Sequence, residues 1–198
     1  MEKEILYFGY GANAHKDMIR ALIGRAPKGF RAKLKNYGLF VQSWKDIPSS
    51  VREILGNVWG TNFNSYIAIP LKGATTWGTA WKITRTERNI IGEWEFHNKW
   101  FTPVNINIED EKGKTFGAET EIILNFKPRE PLVNKKSYPF FVTNKKEILK
   151  VARKVRKKFL ESINKLKGVR ETGVKKNERD IEKGISPSCC SFGLSFGF

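Results

Sequence analysis

Two short stretches of this sequence carry groups that could do chemistry. The first is Gly9-Tyr10-Gly11-Ala12-Asn13-Ala14. Glycines let the main chain approach a ligand closely, and amides at the mouth of a helix favour a carboxylate or phosphate. The second is Trp94-Glu95-Phe96-His97. A carboxylate set against aromatic surface is pushed towards neutrality, which suits general acid–base work. Each stretch has a plainer explanation, a tight turn without a ligand and an exposed Glu at a helix end. The first also fits the dinucleotide pattern G-x-G-x-x-A. That pattern calls for an acidic residue about 20 positions on to grip the ribose, yet Gly29 to Tyr37 contains none. The downstream chain is moreover rich in hairpins, whereas a parallel nucleotide-binding sheet alternates strands with helices. His97 would share a face with Glu95 only in an extended stretch, so it reads as an ordinary loop histidine. His15 reads as a solvated surface residue.

The elements that must position these stretches follow from hydrophobic spacing. Ile5-Leu6-Tyr7-Phe8 is a short buried strand, followed by a helix from about Ala14 to Ile23 with Asn13 as its N-cap. Phe30 to Ser43 alternates and then turns apolar, as one long bent strand or two short ones. Residues 44–64 read as a long loop with one helical turn. Residues 66–70 and 76–83 are expected to form a hairpin across Lys72-Gly73. Thr84 to Trp94 is a helix with Thr86 as a cap, and strands follow at 100–108 and 115–126. The Trp and Phe residues of 77–101 read as core and barrel lining, since a base-stacking platform would interleave them with basic residues. Beyond Lys127-Pro128-Arg129-Glu130-Pro131 the composition changes, which sets a domain boundary: 1–126, then 127–198. In the second part Ile148, Ala152, Val155, Phe159, Ile163 and Leu166 recur at helical spacing. They define an amphipathic helix over about 145–167, capped by Asn144 and ended by Gly168.

Composition bounds the partners. The chain has 198 residues, 40% of them hydrophobic and 13% aromatic, enough for a real core. No apolar run approaches the roughly 18–20 residues of a membrane span. The opening Met1-Glu2-Lys3-Glu4 lacks a basic segment leading into an apolar one, so a cytoplasmic location is expected. The two cysteines are the adjacent Cys189 and Cys190, and the histidines number two. Neither a disulfide framework nor a Cys- or His-rich metal centre is expected. Net charge is +16, and residues 127–184 hold 19 basic and 7 acidic residues, a net of +12. Such a segment fits an anionic partner, namely nucleic acid, an anionic membrane or an acidic protein, or a solubilising surface.

The motifs meet in one family. Tyr7-Phe8-Gly9-Tyr10-Gly11-Ala12-Asn13 resembles the Y-F-x-Y-G-S-N opening of the gamma-glutamylcyclotransferase-like superfamily. Leu34-Lys35-Asn36-Tyr37-Gly38-Leu39 is similar to its L-x-G-Y-x-L, and Thr76 to Thr84 to its V-W-G-V-L-Y-x-L-T. Ile91-Gly92-Glu93-Trp94-Glu95-Phe96 resembles L-D-x-x-E-G, whose Glu is catalytic. The resemblance spans residues 5 to 126. Ala12 replaces the Ser, Gly92 the Asp, and Phe96 the Gly, where it is placed to narrow the pocket or change the substrate.

The resemblance implies an α+β fold, a small and mostly antiparallel mixed β-barrel with flanking helices, followed here by the basic helical C-terminal extension. It implies a pocket between the first loop and Glu95. It also implies an intramolecular reaction in which the α-amine of a γ-glutamyl group attacks its own side-chain carbonyl, releasing 5-oxoproline. Glu95 is then the catalytic acid–base, and Tyr10, Gly11, Ala12 and Asn13 bind the substrate. No metal or cofactor is required. The other function that fits the sequence is a catalytically silent barrel that binds an anionic partner through 127–184.

Overall fold

A computed structural model describes residues 2–53, 65–97, 99–124, 146 and 149–164. The chain divides into two compact units, Met1–Phe159 and Leu160–Phe198. Strands β1 (Glu4–Gly9), β2 (Gly29–Gln42), β3 (Ser65–Thr84), β4 (Thr102–Asp110) and β5 (Thr115–Ile122) lie in the first unit and close a barrel in the order β1-β3-β2-β4-β5. All pairings are antiparallel except the closing one, where β1 meets β5 in parallel at Tyr7 and Glu119. The expected mostly antiparallel mixed barrel with flanking helices is what forms.

Alternation along the strands divides the side chains between two environments. Phe8, Ala32, Leu34, Leu39, Ala80, Ile106, Ile108 and Ala118, drawn from all five strands, fill the barrel interior. Their neighbours Tyr7, Trp81 and Ile83 face outward and are covered by helices. Helix α1 (Lys16–Ile23) presents Met18, Ile19, Leu22 and Ile23 to them, and α2 (Arg85–Trp94) presents Ile91. Helix α3, over 149–164, adds Ala152 to the same cluster.

The strand pattern differs from the expected hairpin. Residues 66–70 and 76–83 do not pair with each other; both pair with β2, which is a single long strand. Between Lys35↔Thr75 and Tyr37↔Pro70 the register shifts, so Leu71–Ala74 forms a bulge opposite Asn36. There Asn36 takes φ 60° and its side-chain oxygen accepts the Gly73 N–H at 3.1 Å, which turns a supposed hairpin tip into a bend of a continuous strand. The cap of α2 is Thr84 rather than Thr86: its hydroxyl accepts from Glu87 N, and the Glu87 carboxylate returns the bond to Thr84 N. Residues 44–53 hold a 3-10 turn, Trp44–Asp46, and one turn of helix from residue 49. The Asn144 cap, the Gly168 stop, Cys189 and Cys190, and most of the basic segment 127–184 lie outside the described residues.

Candidate active site

The chain leaves β1 at Gly9 and folds at once into a 3-10 turn, Gly11–Ala14. A Cβ on Gly9 would lie 2.3 Å from the carbonyl oxygen of Asn13, so only glycine lets the turn fold back this tightly. Gly11 sits at φ 56°, a region costly for residues with a side chain, with the Tyr66 ring packed over it. The turn is held from β3: Trp81 Nε1 donates to the Asn13 carbonyl at 2.8 Å and the Thr79 hydroxyl to that of Ala14 at 2.9 Å. Its first hydrogen bond, from Asn13 N to the Tyr10 carbonyl, leaves the amides of Gly11 and Ala12 without an acceptor inside the turn.

Asn13 is not the N-cap of α1. That helix starts after His15, and the Asn13 side chain turns the other way. Its Nδ2 donates to the Tyr7 hydroxyl at 2.8 Å and to Glu95 Oε1 at 2.6 Å. Glu95 caps the C-terminus of α2, its own N–H bonded to the Ile91 carbonyl. The structure thus brings Glu95 and the glycine turn together through Asn13. Among the described residues the second Glu95 oxygen carries no hydrogen bond. Tyr10 is placed differently: its ring lies in the barrel interior and its hydroxyl donates to the main-chain oxygen of Glu121 at 2.6 Å.

Behind Asn13 lies a buried group of charges. The Tyr7 hydroxyl donates to Glu121 Oε2 at 2.9 Å. Glu121 Oε1 lies 2.7 Å from Arg88 Nη1 and 3.2 Å from His97 Nε2. Arg88 also reaches Glu119, which pairs with the more exposed Arg85. Arg88 and Glu121 are 2% and 3% exposed, which places this ion pair in the interior rather than at the surface. Burial, and then the charge of Glu121, push the Glu95 carboxyl up to about 8, against the opposing pull of the Asn13 hydrogen bond and of Arg88. Burial likewise holds the Tyr7 hydroxyl well above its ordinary range, reinforced by Glu121 and Glu95, so it stays a donor.

Two departures from the family pattern acquire a structural reason. A Cβ on residue 92 would lie 2.6 Å from His97 Nδ1, so Gly92 makes room for the imidazole to fold back over the last turn of α2 towards Glu121. His97 is therefore part of this charged group and not an isolated loop residue. Phe96 takes φ 51°, a conformation glycine adopts at little cost, which keeps the backbone path that a Gly would give. Its ring packs on the cluster of Ile47 and Val51 and against Trp100, a contact that recruits the segment after β2.

Arg88 and Glu121 were not singled out from sequence, Tyr7 entered only as part of the opening motif, and His97 was weighed beside Glu95 and set aside as a loop histidine. The usable signal was Glu119 and Glu121 at period two in a strand that also supplies Ala118 to the core. A cavity of about 1100 Å³ lies elsewhere, lined by Leu6, Leu34, Asn36, Ile106, Asn107 and Ala118 among others; neither Glu95 nor the glycine turn borders it. Among the described residues no three His, Cys, Asp or Glu side chains converge as metal ligands would, and no helix is long and apolar enough to cross a membrane.

Neither a protein-family model nor a curated protein matches the chain. Solved structures do. An uncharacterized protein from Homo sapiens, loc79017, aligns with 98% of this chain and 95% of its own at 18% identity and a TM-score of 0.53. A gamma-glutamyl cyclotransferase aligns with 98% of this chain and 94% of its own, also at 18% identity and 0.53. The chain shares its fold with these two proteins. Of the stretches that carry the sequence resemblance, Tyr7 to Asn13 form the end of β1 and the glycine turn, and Ile91 to Phe96 form the end of α2 with Glu95 at its cap.

Proposed function

We propose that the chain is a gamma-glutamylcyclotransferase-like enzyme that cyclises a γ-glutamyl amide to 5-oxoproline and a free amine or amino acid. The observation that carries this reading is the 2.6 Å bond from Asn13 to Glu95, which sets an elevated carboxylate against the glycine turn with one oxygen left for a substrate proton. The fold shared with a gamma-glutamyl cyclotransferase supports it.

The chemistry follows from these groups. The amides at Gly11 and Ala12 receive the anionic end of the γ-glutamyl moiety and fix the attack geometry. Glu95 takes a proton from the α-ammonium, and the freed amine attacks the side-chain carbonyl carbon. As the C–N bond of the amide breaks, Glu95 gives that proton to the leaving nitrogen. It then relays to that nitrogen the second proton shed by the attacking nitrogen, so the ring keeps one N–H and the amine departs as an ammonium. Five-membered ring closure already has the advantage of proximity. A base whose carboxyl sits at about 8 is far better matched to an ammonium than an ordinary carboxylate, and kcat/KM should rise with pH through that value.

The test is 5-oxoproline release across a panel of γ-glutamyl amino acids and γ-glutamyl amines, with wild type and Glu95→Gln. A loss of about 10²–10⁴-fold in the variant, with unchanged circular dichroism, is expected. Turnover that survives Glu95→Gln removes Glu95 from its role. A wild type that converts no member of the panel removes the cyclotransferase reading.

A further inference from the structure

We propose that Glu121 is a positioning residue for Glu95, acting through Tyr7 and Asn13 and held in place by Arg88 and His97. The proposal rests on Glu95 being the acid–base group, and it concerns what regulates that group.

Hydrogen-bond direction is the core of the case. Glu121, as a carboxylate, can only accept, so the Tyr7 hydroxyl must spend its single proton on Glu121 Oε2. Tyr7 is then left with lone pairs only, and the group facing it must donate. Asn13 has two donors on Nδ2 and none on Oδ1, so its amide is fixed with Nδ2 towards Tyr7 and, by the second N–H, towards Glu95. A carboxylate thus sets, two links away, which face of an amide Glu95 meets. The Asn13 Oδ1 atom is buried without a hydrogen-bond partner, as expected of an amide whose orientation is dictated from its other end. With the chain reversed, Asn13 would present that oxygen to the Glu95 carboxylate, acceptor against acceptor.

The geometry around Glu121 surrounds it with partners that hold it in place. Arg88 reaches it from α2 at 2.7 Å, His97 from the turn after α2 at 3.2 Å, and Tyr7 from β1 at 2.9 Å. Glu119, its neighbour but one on β5, has its own charge matched by Arg85 and shares Arg88. The groups that act on Glu95 are Asn13 from the turn, Arg88 on its own helix, Glu121 from β5, and the neighbouring hydroxyls of Tyr7 and Tyr10. Burial at 3% exposure makes Glu121 costly unless it is paired, and all of its neighbours pair it. Gly92 is the concession that admits His97 to this group.

Two variants act on Glu95 in opposite directions. Glu121→Gln removes the like charge that disfavours ionised Glu95, so its titration midpoint should fall, by about one pH unit. Tyr7→Phe leaves every charge in place but unties Asn13, which weakens the donation that favours ionised Glu95; the midpoint should rise, by about half a unit. The experiment is ¹³C NMR of full-length protein labelled at glutamate Cδ, titrated from pH 5 to 10. The Glu95 signal is assigned by its absence in Glu95→Gln, and 5-oxoproline release is followed in parallel. A fall in Glu121→Gln with a rise in Tyr7→Phe supports the proposal; midpoints within 0.2 unit of wild type in both overturn it, 0.2 being roughly the smallest shift that separates a real interaction from noise. Should Glu121→Gln fail to fold because it strands Arg88, Tyr7→Phe, which keeps the ring and the ion pair, decides alone by its direction. The NMR midpoints report on Glu95 whether or not substrate turns over. Opposite shifts without any 5-oxoproline release therefore uphold the positioning of Glu95 and sink only the cyclotransferase reading.

Discussion

The two faces of the same barrel wall use opposite means of filling space. Inward, Phe8 and Ala118 meet Leu34, Ala80, Ile106 and Ile108, an apolar packing in which shape alone decides the fit. Outward on the same strands, beside the apolar cluster under the helices, Tyr7, Glu119 and Glu121 meet Arg88, His97 and Asn13 in a layer of directed hydrogen bonds and ion pairs. The first kind of packing is stabilising on its own account. The second is no more stabilising than a well-fitted apolar cluster and is vulnerable at each member, because removing one partner strands another. What it supplies is orientation, and Glu95 is the group oriented. The difference sets the control of acid–base chemistry on the barrel's outer face, one strand's thickness from the apolar interior.

That division can be broken from the inside first. Phe8→Ala removes a fully buried ring at the centre of the interior cluster, and its cost should be about 3–5 kcal/mol in denaturant unfolding. If the two faces are energetically separate, the Glu95 titration in the folded fraction stays near its wild-type position. A shifted midpoint would show that the barrel interior and the charged layer act as one unit.

A second test reads the outer face through stability. Folding raises the Glu95 carboxyl from an ordinary 4.5 to about 8, so the folded state binds that proton more tightly than the unfolded chain does. Its contribution is then fully present below pH 4.5 and is lost as pH rises through about 8. Gln cannot ionise but can still accept from Asn13. Glu95→Gln should match wild type in Tm at pH 4 and exceed it at pH 9, by about 2–8 °C for a domain of this size. Equal melting at both pH values would mean that the carboxylate is solvated when charged.

Legibility followed the same division. Much of the inner face could be read as period-two alternation, because burial in a barrel leaves a local trace: Leu34 and Ile106 are apolar where their strand neighbours are not. The Tyr10 to Asn13 turn and Glu95 were legible as a motif, and the spacing at α2 located the helix within a residue of its observed start. The charged layer was not legible. Glu121 lies 114 residues from Tyr7 and 33 from Arg88, and nothing local says that β1 and β5 close the barrel in parallel. The hairpin expected at Lys72-Gly73 failed for a related reason. A glycine pair with a turn and a glycine in a bulge look alike until the partner strand is known, and here that partner is β2.

The smallest expected effect on stability is also the most specific probe of the outer face. Gly92 is buried within α2, where replacement by Ala ordinarily gains about 1 kcal/mol from helix propensity. The added Cβ would stand 2.6 Å from His97 Nδ1, so the imidazole must swing away from Glu121. The ring is the end of a side chain and can move, which costs a contact rather than the helix. Gain and loss should nearly cancel, leaving the unfolding free energy within about 1 kcal/mol of wild type. Activity should not cancel: with His97 gone, Glu121 loses one of its three side-chain partners, and 5-oxoproline release should drop on the order of tenfold through misplacement of Glu95. A variant that is as stable and as active as wild type would show that His97 only occupies space left by the glycine, and would confine the orienting layer to Arg88, Glu121, Tyr7 and Asn13.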